Sequence, residues 1–293
     1  MQSIFIGLQF LMWATVASGQ IVVGHRGARA ELPENTIPSF LAALQAGAEA
    51  IEMDLVVSAD GKLIVSHEPW FSHKICVDRA GEAIVRRDEK THNLHQLSAA
   101  EIAEYDCGCL GHPDFPRQEA VSLAKPTLAA VVAAVDSAVD SAVKSPYGPT
   151  FFLEIKSRAG WIPTWQPTLP EFARLLQQEI DALGLAERCV VMSFDRKFLR
   201  TMHELVPSLP YLLLTADPQS VDTHVRRLGF VPDYIAPFYR FCNRRKVRQA
   251  HDQGIKIAVW TVNEPTKMEK LAQMGVDAII TDDPARGRQI LAE

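Results

Sequence analysis

Ala50-Ile51-Glu52-Met53-Asp54-Leu55-Val56-Val57-Ser58-Ala59-Asp60-Gly61-Lys62-Leu63-Ile64-Val65-Ser66-His67 is the stretch that decides how this chain folds. An apolar run carrying two carboxylates meets Asp60-Gly61, a strong hairpin turn, and a second apolar run, 62–66, leads back. Residues 55–66 therefore read as a hairpin that rises out of strand 50–54 and returns to the same end. His67 then lands beside Glu52 and Asp54, which a barrel strand could not achieve in so few residues. With 62–66 assigned to the hairpin, eight other apolar runs remain, at 21–24, 50–54, 150–155, 189–193, 210–214, 233–236, 256–260 and 277–280. Helical periodicity falls at 39–45, 128–143, 170–183, 197–205, 219–228, 244–253 and 266–274. Four of these stop at Gly184, Gly229, Gly254 or Gly275, the expected left-handed end of a helix, and a strand follows each. Alternating strands and helices imply a parallel sheet. Eight such units predict an α/β fold, a TIM (β/α)8 barrel, with its active site at the C-terminal strand ends. No Gly-x-Gly-x-x-Gly or Walker loop is present, which disfavours the open nucleotide-binding sheets.

The 293 residues and 47% hydrophobic content suit one barrel domain over 20–293. A formal net charge of −5 argues against a nucleic-acid partner. Residues 1–19 combine an apolar run with small residues and read as an export signal, cleaved after Ala17 or Gly19. They lack the usual Lys or Arg ahead of the run, and the alternative is a hydrophobic first helix. Export to the periplasm or the medium is the expectation, and beyond this segment no stretch is apolar enough to span a bilayer. Residues 70–125 break the strand–helix rhythm, carry charge, Gly and Pro with one helix-like piece at 98–105, and read as an insertion over the catalytic end. Of the five cysteines, Cys76 and Cys107 could bridge within it, closing a loop of about thirty residues. A zinc site on His92, His95, Cys107 and Cys109 is a rival whose spacing matches no standard pattern.

The chemistry-bearing residues sit where apolar runs finish: His25-Arg26, Glu52 with Asp54, His67, and Glu154 with Lys156. Unpaired buried charge is costly, so groups arriving at one barrel end converge. Glu52 and Asp54, two apart on a strand, point to the same side. With Glu154 they form an all-oxygen ligand set suited to one divalent cation, Mg²⁺ or Ca²⁺; the competing arrangement is ion pairing of these carboxylates with Arg26 or Lys156. His25 and His67 suit acid–base work, since imidazole as a side chain exchanges protons near neutral pH, whereas the other seven histidines read as structural or surface residues. Arg26 and Lys156 fit phosphate oxygens, the arginine through its fork. Gly24 and Gly27 permit close backbone approach around the histidine. Phe194 and Trp260 end later strands and could form an apolar wall for a glycerol or headgroup.

His25-Arg26-Gly27, Pro33-Glu34-Asn35-Thr36, Glu52-x-Asp54, Asp60-Gly61, His67, Glu154-Ile155-Lys156, Ser193-Phe194, Trp260-Thr261-Val262-Asn263 and Thr281-Asp282 occur in the order found in the glycerophosphodiester phosphodiesterase family. The ordered set resembles that family from about Ile21 to Pro284. The resemblance implies a TIM barrel with an insertion after His67 and a cation on Glu52, Asp54 and Glu154. It also implies His25 and His67 as acid and base, with Arg26 and Lys156 near the phosphate. Family members hydrolyse small-molecule glycerophosphodiesters to glycerol 3-phosphate and an alcohol, and attack by the substrate's 2-hydroxyl through a cyclic phosphate fits such a site. One departure is Glu68-Pro69, where the family usually has Asp-Pro. The alternatives are an exported phosphodiester-binding protein without turnover, and a related barrel phospholipase, which should show an exposed apolar rim in 70–125.

Overall fold

Alternation along the strands sorts the side chains into two layers. In the computed structural model, which describes residues 20–138 and 148–291, nine strands form one sheet. They are β1 (Ile21–His25), β2 (Ala50–Val57), β3 (Leu63–Val65), β4 (Thr150–Ile155), β5 (Cys189–Ser193), β6 (Tyr211–Thr215), β7 (Tyr234–Pro237), β8 (Lys256–Val259) and β9 (Ala278–Thr281). β1 pairs in parallel with both β2 and β9, closing the ring. Only β2–β3 is antiparallel. Val23, Ala50, Phe152, Met192, Leu214, Ala236, Ala258 and Ile280 fill the barrel interior. Their strand neighbours Val22, Ile51, Leu153 and Val191 face outward into a larger apolar layer.

That outer layer is covered by helices α1 (Ile37–Gln45), α3 (Leu128–Ala138), α4 (Leu169–Ala182), α5 (Arg196–Leu205), α6 (Val221–Leu228), α7 (Arg244–His251), α8 (Pro265–Ala272) and α9 (Pro284–Leu291). A one-turn helix, α2 (Ala99–Ile102), lies in the insertion. α9 has no counterpart among the expected helices, because its apolar stripe is short and Pro284 and Gly287 break the periodicity. The expected helix 128–143 is seen to Ala138, and its remaining residues, like the segment 1–19 read as an export signal, lie outside the described residues. Among the described residues no helix is long and apolar enough to cross a membrane.

The hairpin folds as its turn demands. Leu55 faces Val65 and Val57 faces Leu63, and the Ser66 amide donates to the Asp54 carbonyl at 2.9 Å. His67 is thereby held level with the carboxylate end of β2. The outer face of the hairpin, Val56 and Ile64, packs on a separate small core made by the insertion, including Phe71, Leu94, Ile102 and Tyr105. Cys76 and Cys107 are joined by a disulfide inside this core. That bond removes Cys107 from any zinc site, and the only group of potential metal ligands among the described residues lies elsewhere. The helix-like piece 98–105 shrinks to α2, because disulfide and core order the surrounding segment without regular structure.

Candidate active site

Each strand carries its inward register on to residues in its C-terminal part or just past its end. Inward Val23 is followed by His25, Ala50 by Glu52 and Asp54, Phe152 by Glu154 and Lys156, Met192 by Phe194, Ala258 by Trp260, and Ile280 by Asp282. Pairing sets His25 opposite Glu52 and Asp54 opposite Glu154. The residues read from the sequence therefore meet at one rim.

Glu52, Asp54 and Glu154 are all buried, each with a ligand oxygen within 4.8 Å of the others. Burial, then Asp54 and Glu154, push the Glu52 carboxyl well above its ordinary range. Its Oε2 accepts the Arg26 amide at 2.9 Å, while Oε1 is buried with no hydrogen-bond partner. Burial also works against ionised Asp54, but Lys156 and Arg26 outweigh it and hold that carboxyl well below its ordinary value. A buried oxygen without a donor, inside a carboxylate triad, is what a hard cation would satisfy.

The cations are bound up with the same acids. Lys156 Nζ lies 2.9 Å from Asp54 and 2.6 Å from Glu154. Arg26 Nη1 donates to Glu34 at 2.8 Å and Nε lies 3.1 Å from Asp54. Glu34 also receives Arg29 Nε at 2.5 Å; burial opposes its charge, yet Arg26 and Arg29 hold it well below the usual range. The ligand triad and the ion-pair network weighed as competitors thus coexist. The arginine fork expected for phosphate is largely committed to carboxylates. The local backbone is adapted to this: Arg26 and Asn35 both take left-handed conformations, φ 53° and 58°, unusual for side-chain-bearing residues. Asn35 Nδ2 donates to Asp54 Oδ2 at 2.8 Å. Gly27, φ 87°, lies so close to Ser39 that an added Cβ would sit 2.5 Å from its atoms.

Each histidine has Nδ1 on a carboxylate. His25 Nδ1 is 2.6 Å from Asp282 Oδ1, and its Nε2 lies 4.0 Å from Glu52. Asn263 Nδ2 donates to the other Asp282 oxygen at 2.6 Å, and Asn263 Oδ1 accepts the Asp282 amide. Burial lowers the His25 pKa against the opposing pull of Asp282. His67 Nδ1 is 2.7 Å from Glu68, so the longer arm at this departure from the usual Asp still reaches its histidine. On the far side, Phe194 and Trp260 meet edge-to-face at 5.2 Å, and Trp260 Nε1 donates to the Ala236 carbonyl.

Sequence reading assigned no role to Asp282, Asn263, Glu34, Asn35 or Lys125. The parity of Asp282 with Ala278 and Ile280 was its available signal. Lys125 is buried, facing Glu68, Glu34 and Asp54, with its pKa lowered by burial; nothing in its local sequence marks it.

A closed barrel whose rim gathers three carboxylates, two carboxylate-paired histidines and a phosphate-sized set of cations defines a phosphoric diester hydrolase. The family model described as "Glycerophosphoryl diester phosphodiesterase family" matches residues 25–286, and the chain belongs to that family. It is 28% identical over 266 residues to a glycerophosphodiester phosphodiesterase of Caldanaerobacter subterraneus, spanning 90% of this chain and 94% of the relative. A second relative of that description, from Bacillus subtilis, is 28% identical over 90% of this chain and 84% of its own length. A Silicibacter pomeroyi structure described as a glycerophosphoryl diester phosphodiesterase superposes with a TM-score of 0.82 at 29% identity, covering 94% of both chains. An Oleispira antarctica phosphodiesterase, seen in complex with the product sn-glycerol-3-phosphate, shares the fold with a TM-score of 0.70 at 19% identity, covering 93% of this chain and 97% of that one.

Proposed function

We propose that this chain hydrolyses small-molecule glycerophosphodiesters to glycerol 3-phosphate and an alcohol by acid–base catalysis at His25 and His67. One divalent cation, Mg²⁺ or Ca²⁺, sits on Glu52, Asp54 and Glu154 in this reading. The observation that carries it is the buried triad with its unpartnered Glu52 oxygen, lying between two histidines whose Nδ1 atoms are both held by carboxylates. Such pairing fixes the tautomer and leaves Nε2 of each ring to exchange a proton. A bound cation would supply positive charge to the phosphoryl oxygens. Lys156, and Arg26 through the part of its fork that Glu34 and Asp54 do not take, hold the phosphate in this reading. One imidazole takes the proton of the substrate's 2-hydroxyl as that oxygen attacks phosphorus. The other protonates the departing alcohol oxygen, and water then opens the cyclic phosphate with the roles reversed.

An apolar rim for intact lipid is not favoured, because Val85 and Leu110 are the only large exposed hydrophobics described within 70–125. A binder without turnover would not need two oriented histidines. The domain arrangement proposed is an export signal over 1–19 followed by a barrel over 20–293 with its insertion at 70–125. The Cys76–Cys107 disulfide supports export, since such bonds persist in oxidising compartments.

The test is release of glycerol 3-phosphate from glycerophosphocholine and glycerophosphoethanolamine with Mg²⁺, Ca²⁺ or EDTA. Cation-dependent release that disappears in His25→Ala and in His67→Ala is expected. Full activity of either alanine variant would sink the two-histidine reading.

A further inference from the structure

The rim opens into two cavities that share His67, Glu154, Lys156 and Phe194. The inner one, about 280 Å³, is walled by Trp260, Leu214, Met192 and Ile280 and suits a glycerol. The outer one is a cleft of about 760 Å³. A diester whose phosphate sits at the shared residues places one ester arm in each.

Besides the shared residues, the outer cleft is lined by Arg158, Arg196, Lys197, Arg200 and Arg227. None of the five forms an ion pair among the described residues. Arg196 donates to the His224 ring, and Arg200 to the carbonyls ending α6, all of them neutral acceptors. The acids of the cleft are held by other groups of its lining. Glu68 is on His67 and Glu154 on Lys156, while Asp195 caps α5 and accepts from Ser157. In the lining as a whole Lys156, Arg158, Arg196, Lys197, Arg200 and Arg227 outnumber Glu68, Glu154 and Asp195, and this surplus of positive charge attracts anions into a concave site.

Its tryptophans do not make a cage for an ammonium group. Arg158 lies 5.1 Å from the Trp161 ring, and Lys90 lies 5.0 Å from Trp70 and 5.9 Å from Trp165. The protein's own cations take these π faces, so a choline-like group would meet like charge there. A third cavity, of about 310 Å³ beyond Trp70, lacks this surplus, because Arg26, Arg29 and Lys74 in it are paired with Glu34 and Asp114.

Resting on the hydrolase reading, we infer that the preferred substrate is a glycerophosphodiester whose departing alcohol carries a second phosphate, bound by the strip Arg158–Arg196–Lys197–Arg200–Arg227. The reaction is otherwise unchanged: the bond from phosphorus to the alcohol oxygen breaks, and the second phosphate leaves intact with that alcohol.

The experiment compares kcat/KM for three probes with the purified protein and cation. They are glycerophosphoglycerol, the same diester bearing a phosphate on its outer glycerol, and glycerophosphocholine. The phosphorylated probe is expected to lead the neutral one by about tenfold or more, mostly through KM, with glycerophosphocholine last. Lys197→Glu/Arg227→Glu should cut that ratio by about tenfold, and added salt should compress it. Arg87→Glu, an exposed charge reversal outside the cleft, should leave it alone. Equal cleavage of the three probes, or an unchanged ratio in the double variant, overturns this inference while the hydrolase reading stands. No release from any probe overturns both.

Discussion

Glu52→Gln is expected to make the cation-free protein more stable while destroying its response to cations. Glu52 lies with Asp54 and Glu154 inside a 4.8 Å group, where one pair of like charges repels by about 3.5 kcal/mol at an effective dielectric of 20. Arg26 and Lys156 offset part of the two such terms. The glutamine keeps an oxygen for the Arg26 amide and gains an N–H for a neighbouring carboxylate. The net gain should be about 1–3 kcal/mol, or between about 2 and 10 °C in Tm for a chain of this size. Wild-type protein should recover that deficit in millimolar Mg²⁺ or Ca²⁺, by about 2.7 kcal/mol at a hundredfold excess over Kd, and the variant should not. Calorimetry of both proteins in EDTA and in cation decides it. A variant that melts at or below wild type in EDTA, or that still gains stability from the cation, would refute the reasoning.

Asp282→Asn should lower kcat by about 10²–10⁴-fold, because the amide no longer fixes the His25 tautomer, and should also lower Tm, because the ionised carboxylate that His25 and Arg29 favour is gone; steady-state kinetics on any cleaved diester, at a temperature where the variant is folded, check this. Asp54, Glu34 and Asp282 have folded pKa values held below their ordinary 3.8, 4.5 and 3.8. Their stabilisation is complete above those values and is lost as pH falls through about 4 toward the folded ones, so in EDTA the urea midpoint should drop steeply below pH 4, and a flat profile to pH 3 would contradict it. A thiol reagent should label one free cysteine, Cys109, in the native protein and three after denaturation, since Cys189 and Cys242 are buried and Cys189 is pushed up to about 12. Cys76→Ser should cost about 3–4 kcal/mol, from the loop of 31 residues that the bond closes, measured as a lowered denaturation midpoint.

Much of the architecture was legible because barrel physics is written in short-range patterns. Asp60-Gly61 announced the hairpin that returns His67, and the helix-ending glycines all adopt the left-handed backbone expected of them. Where regular structure depends on distant contacts, reading failed: 98–105 yields only α2, and α9 was missed. The site shows the same division. Glu52, Asp54 and Glu154 share an inward parity that alternation reveals, so their convergence could be read. Asp282 meets His25 across 257 positions, a pairing no local pattern encodes. The left-handed turn at Arg26 was also invisible, since that conformation is anticipated at glycine, not arginine.

Barrel closure has a consequence for when the protein becomes competent. β1 is sealed on one side by β9, the last of the nine strands described. A growing chain therefore holds His25 against an open edge until the ninth strand docks and delivers Asp282. Chains cut short before β9 would carry the triad, both histidines and the hairpin, yet leave His25 unoriented. Such high-separation contacts form late and slowly. Orientation of His25 by Asp282 is thus a property only of chains whose barrel has closed through β9.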